Sequence, residues 1–315
     1  MDGMSASLSG GKPIEGEHPA VVMRDIAARP RPGGHVMTFA NEKGGVGKST
    51  LAFHCAIALA EAGQSVAVID LDRRQQSLAT ALTNRQGTAR NLKVDLPMPR
   101  FAVLDKPCGA QLSQEIARIG QRADFVIIDA PGQDSPVVRR AIGMADTLVT
   151  PVNCSYVDLD ILGRLDPATL KMRAPGQFGG MVEQLRAERE ACGMGSSNWA
   201  VVRNRSRPVE RRHHSRVDRA LESMAQRLEF QLCDGLQERV VYRELFLFGL
   251  THMDIRHIPR LARKNYRTGN EIERLIEQID LEFEPRPWCA DPALRRGRIS
   301  EKAVQAFDAI IGSYA

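Results

Sequence analysis

The densest chemistry in this chain lies in one run, Glu42-Lys-Gly-Gly-Val-Gly-Lys-Ser-Thr50. Gly44, Gly45 and Gly47 lack a Cβ, so the backbone around them can curl and aim its N–H groups, with that of Val46, at a single anion. An apolar-periodic stretch, Leu51 to Ala62, follows directly. The helix it predicts adds the positive end of its dipole at Ser49 and Thr50. Lys48 is placed to reach the β- and γ-phosphates of a nucleotide, and the Ser49 hydroxyl to ligate Mg²⁺. The cofactors this predicts are ATP or ADP with Mg²⁺. One end departs from the common P-loop: the position six before Lys48 is Glu42, not glycine, and a second lysine, Lys43, follows it.

Two further carboxylate sites accompany the loop. Asp129 ends the apolar run Phe125-Val-Ile-Ile-Asp129, where it can hold Mg²⁺ directly or through water, and Gly132 follows closely. Asp70 and Asp72 end a second such run. Residues two apart on a strand share a face only while the strand lasts, and the pair reads as one group at the nucleotide and one neighbour. Asp72 is assigned to position the attacking water, with Asp70 as a structural or Mg²⁺-shell neighbour. Lys43 has two readings on spacing alone: an exposed surface lysine, or a cation supplied to the phosphates of a second subunit, as an arginine finger is.

Elements must bring these groups together. Strands are predicted at Val36–Ala40, Ser65–Asp70, Arg100–Val103, Phe125–Asp129, Thr147–Pro151 and Asn198–Arg203, several of them continuous Val/Ile runs that suit a sheet covered on both faces. Helices are predicted between them at Ser49–Ala62, Gln111–Ile119, Pro136–Met144 and Met181–Cys192. That alternation predicts an α/β, doubly wound, mainly parallel sheet flanked by helices, with ligands at the carboxyl ends of the strands. The loop, Asp70–Asp72 and Asp129–Gly132 all fall at those ends. Residues 1–34, rich in Gly, Ser, Pro and charge, read as a flexible extension. Residues 35–285 read as one catalytic domain, and 286–315 as a linker and short helix. Val209 to Leu228 and Ile258 to Phe283 carry long helical patterns.

Composition narrows the function. The chain has 315 residues, 43% of them hydrophobic, with a net charge of +5. No run of eighteen apolar residues predicts a transmembrane helix, and no apolar leader predicts secretion. The six cysteines are scattered without CxxC spacing, which argues against zinc or a disulfide framework and for a reducing cytoplasm. The amphipathic segment Ile299–Ile311 presents Glu301, Gln305 and Asp308 on its polar face, with Lys302 its only cation, which argues against a membrane anchor.

The positive charge is concentrated. Between Arg203 and Arg219 seven arginines face two carboxylates, an excess equal to that of the whole chain. Arg212, Arg216 and Arg219 recur at helical spacing on one face, so the stripe can follow a phosphate backbone without reading sequence. A solvated helix face is the alternative. Arg205 and Arg243 complete the candidate DNA-binding set, and a second cluster from Arg256 to Arg267 could extend it.

Lys43-Gly-Gly-Val-Gly-Lys48-Ser-Thr50, Val68-Ile-Asp-Leu-Asp72 and Ile127-Ile-Asp-Ala-Pro-Gly132 together resemble the three motifs of ParA/MinD-type ATPases, whose Walker A motif is deviant. The resemblance implies a P-loop fold in which ATP drives a face-to-face homodimer. It implies that Lys43 is the signature lysine, that Asp72 aligns with the water-activating aspartate, and that Asn204 aligns with an adenine-contacting asparagine. Within that family, Asn41-Glu42, Asp70-Leu-Asp-Arg-Arg-Gln75, Val202-Arg-Asn-Arg205 and Glu238–Phe246 resemble the MipZ group of division-plane positioning ATPases. That resemblance implies a cytoplasmic, nucleoid-associated protein with three partners: double-stranded DNA without sequence preference, a ParB-type centromere-binding protein and the division tubulin FtsZ. A partition-type ParA that moves DNA cargo and a MinD-like membrane-recruited ATPase are the alternatives. Arg73-Arg74-Gln75, where partition proteins carry Pro-Gln-Gly, argues against the first.

Overall fold

The computed structural model describes residues 17–205, 211–258, 270–286 and 305. Its centre is a seven-stranded, all-parallel sheet in the order β3-β2-β4-β1-β5-β8-β9. The strands are β1 (His35–Phe39), β2 (Val66–Asp70), β3 (Arg100–Val103), β4 (Phe125–Asp129), β5 (Thr147–Asn153), β8 (Asn198–Asn204) and β9 (Gln231–Asp234). The sequences VAVID and FVIID are buried along their whole length in β2 and β4. Such runs persist only where helices cover both faces of a sheet. A short antiparallel hairpin, β6 (Gly163–Leu165) with β7 (Met172–Pro175), is inserted after β5.

Helices cover both faces, as a doubly wound sheet requires. One side carries α2 (Lys48–Glu61), whose residues from Leu51 to Ala60 are all buried, with α3 (Ser77–Leu92), α9 (Val240–Leu247) and α10 (Glu271–Gln278). The other side carries α4 (Gly109–Gly120), α5 (Pro136–Met144), α7 (Gln177–Ala191) and α8 (Arg211–Leu228). A four-residue helix, α6 (Tyr156–Leu159), follows β5.

The segment read as a flexible extension contains a packed helix, and that expectation is corrected. Helix α1 (Pro19–Ala27) starts with Pro19 at its first turn and is capped by the His18 ring, which accepts the Ala20 N–H. Val22 and Met23 are fully buried against α5 and α7. Gly143 permits the approach, because a Cβ there would lie 2.7 Å from Met23 Sδ. Gly, Pro and charge on either side hid the Val22-Met23-Ile26 stripe. Residues 1–16, the segment Ile299–Ile311 apart from Gln305, and the Arg260–Arg267 cluster lie outside the described residues. Of the pattern from Ile258 to Phe283, α10 is the described helix.

The C-terminal elements are held to the sheet by a buried ion pair. Arg85 on α3 donates to both oxygens of Asp254, at 2.8 and 2.7 Å, and to the carbonyls of Gly249 and Pro97. Both side chains are closed to solvent. Burial alone would raise the Asp254 carboxyl, but Arg85 and the Thr251 donors hold it below its ordinary value. A buried pair this fully hydrogen-bonded specifies position even where its net stabilisation is modest.

Met23→Ala should cost about 2–5 kcal/mol of stability, read as a lower urea midpoint. A midpoint equal to that of the unaltered chain would return α1 to the status of a loose extension.

Candidate active site

The loop after β1 is fixed before it curls. Asn41 is buried; its amide donates to Pro151 O at 2.7 Å and its Oδ1 accepts the Lys43 N–H at 2.7 Å. Gly45 and Gly47 hold φ of +75° and +94°. At Gly47 a Cβ would also lie 2.3 Å from Asn204 Nδ2, so both conformation and space require glycine. Gly47 starts α2 without a side-chain cap, leaving first-turn N–H groups for an anion. Lys48 is 8% exposed and its ammonium donates to Lys43 O at 2.8 Å. Burial lowers its pKa, against the pull of Asp129 and Asp72.

Asp70 and Asp129 sit directly opposite one another on β2 and β4. Asp70 is already committed: its oxygens accept the N–H groups of Asp72 at 2.9 Å and Ala79 at 3.1 Å, the latter in the first turn of α3. It serves as the structural neighbour. Asp129 is buried beside the Ser49 hydroxyl, which acts to lower its carboxyl, while its Oδ1 has no partner among the described residues. Burial, then the Asp70 charge, pushes its carboxyl up to about 8. A buried, unpartnered carboxylate oxygen beside a hydroxyl is what a hard divalent cation fits. Ser49 and Asp129 are the residues that would hold it. Asp72 is half-buried, and its Oδ1 accepts the N–H groups of Arg74 and Gln75 at 3.1 and 3.0 Å.

Lys43 is neither exposed nor free. Its ammonium pairs with Asp158 Oδ1 on α6 at 3.0 Å and donates to Val157 O. Gly132 packs on the same point: a Cβ there would come within 3.1–3.2 Å of Gly44 N and the Lys43 carbonyl. Glu42 is half-buried and its Oε1 has no partner among the described residues. Burial, then Asp134, raises its carboxyl, although Arg139 holds Asp134 at 2.9 and 2.5 Å.

Beside the loop, Gly47, Thr50, Asn204, Leu236, Tyr242 and Arg243 line a cavity of about 190 Å³. Asn204 is buried; its amide donates to Val46 O at 2.8 Å and its Oδ1 accepts the Leu236 N–H at 3.2 Å. A larger cavity of about 420 Å³, against α1 and α4, shares no residue with this one. The arginines predicted to face DNA divide. Arg205 and Arg243 line the cavity beside the loop, whereas Arg216 and Arg219 are exposed on α8. Arg212 lies on α8, with its side chain outside the described residues. Asp158 was missed in the sequence, because it reaches Lys43 across 115 residues, and Asn41 was noted only as part of Asn41-Glu42, without its role in fixing the loop.

Helix α2 is tuned by His54, four residues beyond Thr50. Its Nδ1 lies 2.8 Å from Thr50 O and so carries the proton, which leaves Nε2 buried without a partner among the described residues. Burial, the largest effect, drops its pKa from 6.5 to about 4.

Comparison with known proteins bears on the family and the fold. Residues 35–283 match the profile of a family described as ATPase MipZ. The chromosome partitioning protein ParA of Caulobacter vibrioides is 29% identical over 41% of this chain and 60% of its own length. The chromosome-partitioning ATPase Soj of Thermus thermophilus is 28% identical over 44% of this chain and 62% of its own. The matches thus span less than two thirds of these relatives. Among solved structures, apo McdA from Cyanothece superposes with a TM-score of 0.54 at 16% identity, over 78% of this chain and 99% of that one. An ATP complex of an McdA variant gives 0.50 at 14% identity, over 81% and 99%. At that identity the likeness bears on the fold alone.

The unfolded chain takes up a proton on His54 near pH 6.5, and the folded chain refuses it until about 4. Stability should therefore fall by up to about 3 kcal/mol as pH drops through that window. His54→Phe should flatten this acid limb in denaturant titrations; an unchanged limb would assign it to other groups.

Proposed function

The chain belongs to the MipZ ATPase family, and on that premise we propose that it is a slow, Mg²⁺-dependent ATPase whose ATP-bound form is a homodimer binding double-stranded DNA without sequence preference. The observation that carries the reading is Lys43, held by Asp158 in its own chain beside a loop otherwise shaped for phosphates.

The backbone from Gly44 to Thr50 cradles the phosphates, and Lys48 exchanges the Lys43 carbonyl for them. Asn204, with Leu236, Tyr242 and Arg243, walls the place of the base. Ser49 and Asp129 would hold Mg²⁺, which would supply neutralisation of the β- and γ-phosphate charge. Asp72 orients the attacking water, and its hold on the turn of Arg74 and Gln75 keeps it in place. A single half-buried carboxylate without a strong base behind it suits slow turnover. Lys43 leaves Asp158 and crosses to the phosphates of the second subunit, where it stabilises charge as the γ-phosphate departs.

On α8 the exposed Arg216 and Arg219 follow the phosphate backbone, and dimerisation doubles the stripe. A ParB-type protein and FtsZ are the protein partners that the family resemblance supports, with division-site positioning as the role and nucleoid association as the consequence. The partition reading is the second; ParA of Caulobacter vibrioides, at 29% identity, favours it. Among the described residues no helix is long and apolar enough to cross a membrane.

Sedimentation velocity with ATP, ADP or no nucleotide, with and without a duplex, tests the proposal. A dimer should form with ATP alone, and the duplex should co-sediment chiefly with it. Equal DNA binding in all three states would overturn the switch. Asp158→Ala frees Lys43 in both subunits and should favour the ATP dimer about tenfold, from two part-buried ion pairs lost per dimer.

A further inference from the structure

We infer that Arg203 is a positioning residue that links the nucleotide site to the basic helix α8 and sets how strongly that helix attracts an anion. The inference rests on the reading of α8 as the DNA-facing helix.

Three consecutive residues at the end of β8 reach in three directions. Asn204 holds the P-loop through Val46 O at 2.8 Å. Arg205 takes φ of +54° and turns the chain at the cavity beside the loop. Arg203 reaches the other way, to Asp218 Oδ1 on α8 at 2.5 Å and to Asp234 Oδ1 at the end of β9 at 2.6 Å. The strand end is itself pinned: Gly235 N–H donates to Arg203 O at 2.9 Å and Arg205 N–H to Leu236 O at 2.8 Å. A Cβ at Gly235 would meet Arg203 O at 3.0 Å and Asn204 Oδ1 at 3.1 Å. The loop and α8 are therefore joined through two adjacent residues with little slack. A shift of the Val46 carbonyl on nucleotide binding is passed to α8 through Asn204 and Arg203.

The charges give the link its electrostatic role. Asp218 stands between Arg216 and Arg219, which are exposed on α8. Left unpaired, Asp218 and Asp234 would repel a phosphate backbone approaching that stripe. Arg203 pairs with both and offsets one of their two negative charges, while its own side chain is only 26% exposed. It thus contributes to anion attraction without needing to touch the anion.

The experiment measures binding of a labelled, random-sequence duplex by fluorescence anisotropy, with a non-hydrolysable ATP analogue and with ADP. It compares the unaltered chain, Arg203→Gln, Asp218→Asn and the double variant. Arg203→Gln should bind DNA about tenfold more weakly, because a bare carboxylate lies within a Debye length of the stripe. Its affinity for the ATP analogue should change less than about twofold. The double variant should recover most of the loss, which a general loss of structure would not do. Unchanged DNA binding in Arg203→Gln, or a loss that Asp218→Asn does not repair, would overturn the electrostatic role. Hydrogen exchange over residues 217–228 reads the mechanical link without DNA. The analogue should change protection there in the unaltered chain and not in Arg203→Gln; an equal change in both would overturn the link. An unaltered chain that binds no duplex in either nucleotide state sinks the DNA reading and leaves the exchange result standing on its own.

Discussion

Two aspartates side by side at the ends of buried strands would repel each other, and the site is organised around how that repulsion is settled. Asp70 is satisfied by backbone N–H groups and fixes the start of α3. Asp129 lies beside the Ser49 hydroxyl and keeps one oxygen without a partner among the described residues. Two carboxylates in one environment thus acquire different tasks, one holding the fold and one ready for a cation. The parallel register of β2 and β4 imposes this, and the pairing of β4 with β1 brings the P-loop to the same edge.

A second arrangement concerns the two lysines. Lys48 bonds to the carbonyl of Lys43, while Lys43 is drawn sideways to Asp158. The phosphate-binding lysine therefore touches the backbone of the lysine assigned to the second subunit. Gly132 packs against that same backbone, so the loop, the signature lysine and the third motif share one contact region. Phosphates that draw Lys48 away from the Lys43 carbonyl act on the anchor of the second lysine. On the proposed reading, nucleotide state and dimerisation meet at this one contact region.

Much of this was legible in the sequence, for identifiable reasons. Several of the six predicted strands, VAVID and FVIID above all, were contiguous apolar runs, and buried parallel strands leave that trace. The P-loop was legible because its chemistry is contiguous. Strand β9, four residues with an exposed glutamine and aspartate, leaves no such run. Helix α3 escaped notice because Ser77–Leu92 is largely polar, and its buried anchor Arg85 reads as a surface residue. The roles of Asp158 and Asn41 depend on partners brought close only by folding. Helical spacing placed Arg216 and Arg219 on an exposed face, but it said nothing of Arg205, which follows the end of β8, or Arg243, which the fold turns toward the cavity beside the loop.

On the proposed reading, Lys48 serves nucleotide binding within one chain and Lys43 serves the meeting of two. Calorimetric titration of a non-hydrolysable ATP analogue with Mg²⁺ into Lys43→Ala and Lys48→Ala, with the mass of each complex measured by light scattering, tests it most directly. The account predicts that Lys48→Ala loses binding, while Lys43→Ala binds the analogue and stays a monomer. A Lys43→Ala protein that forms the ATP-dependent dimer as readily as the unaltered chain would contradict it.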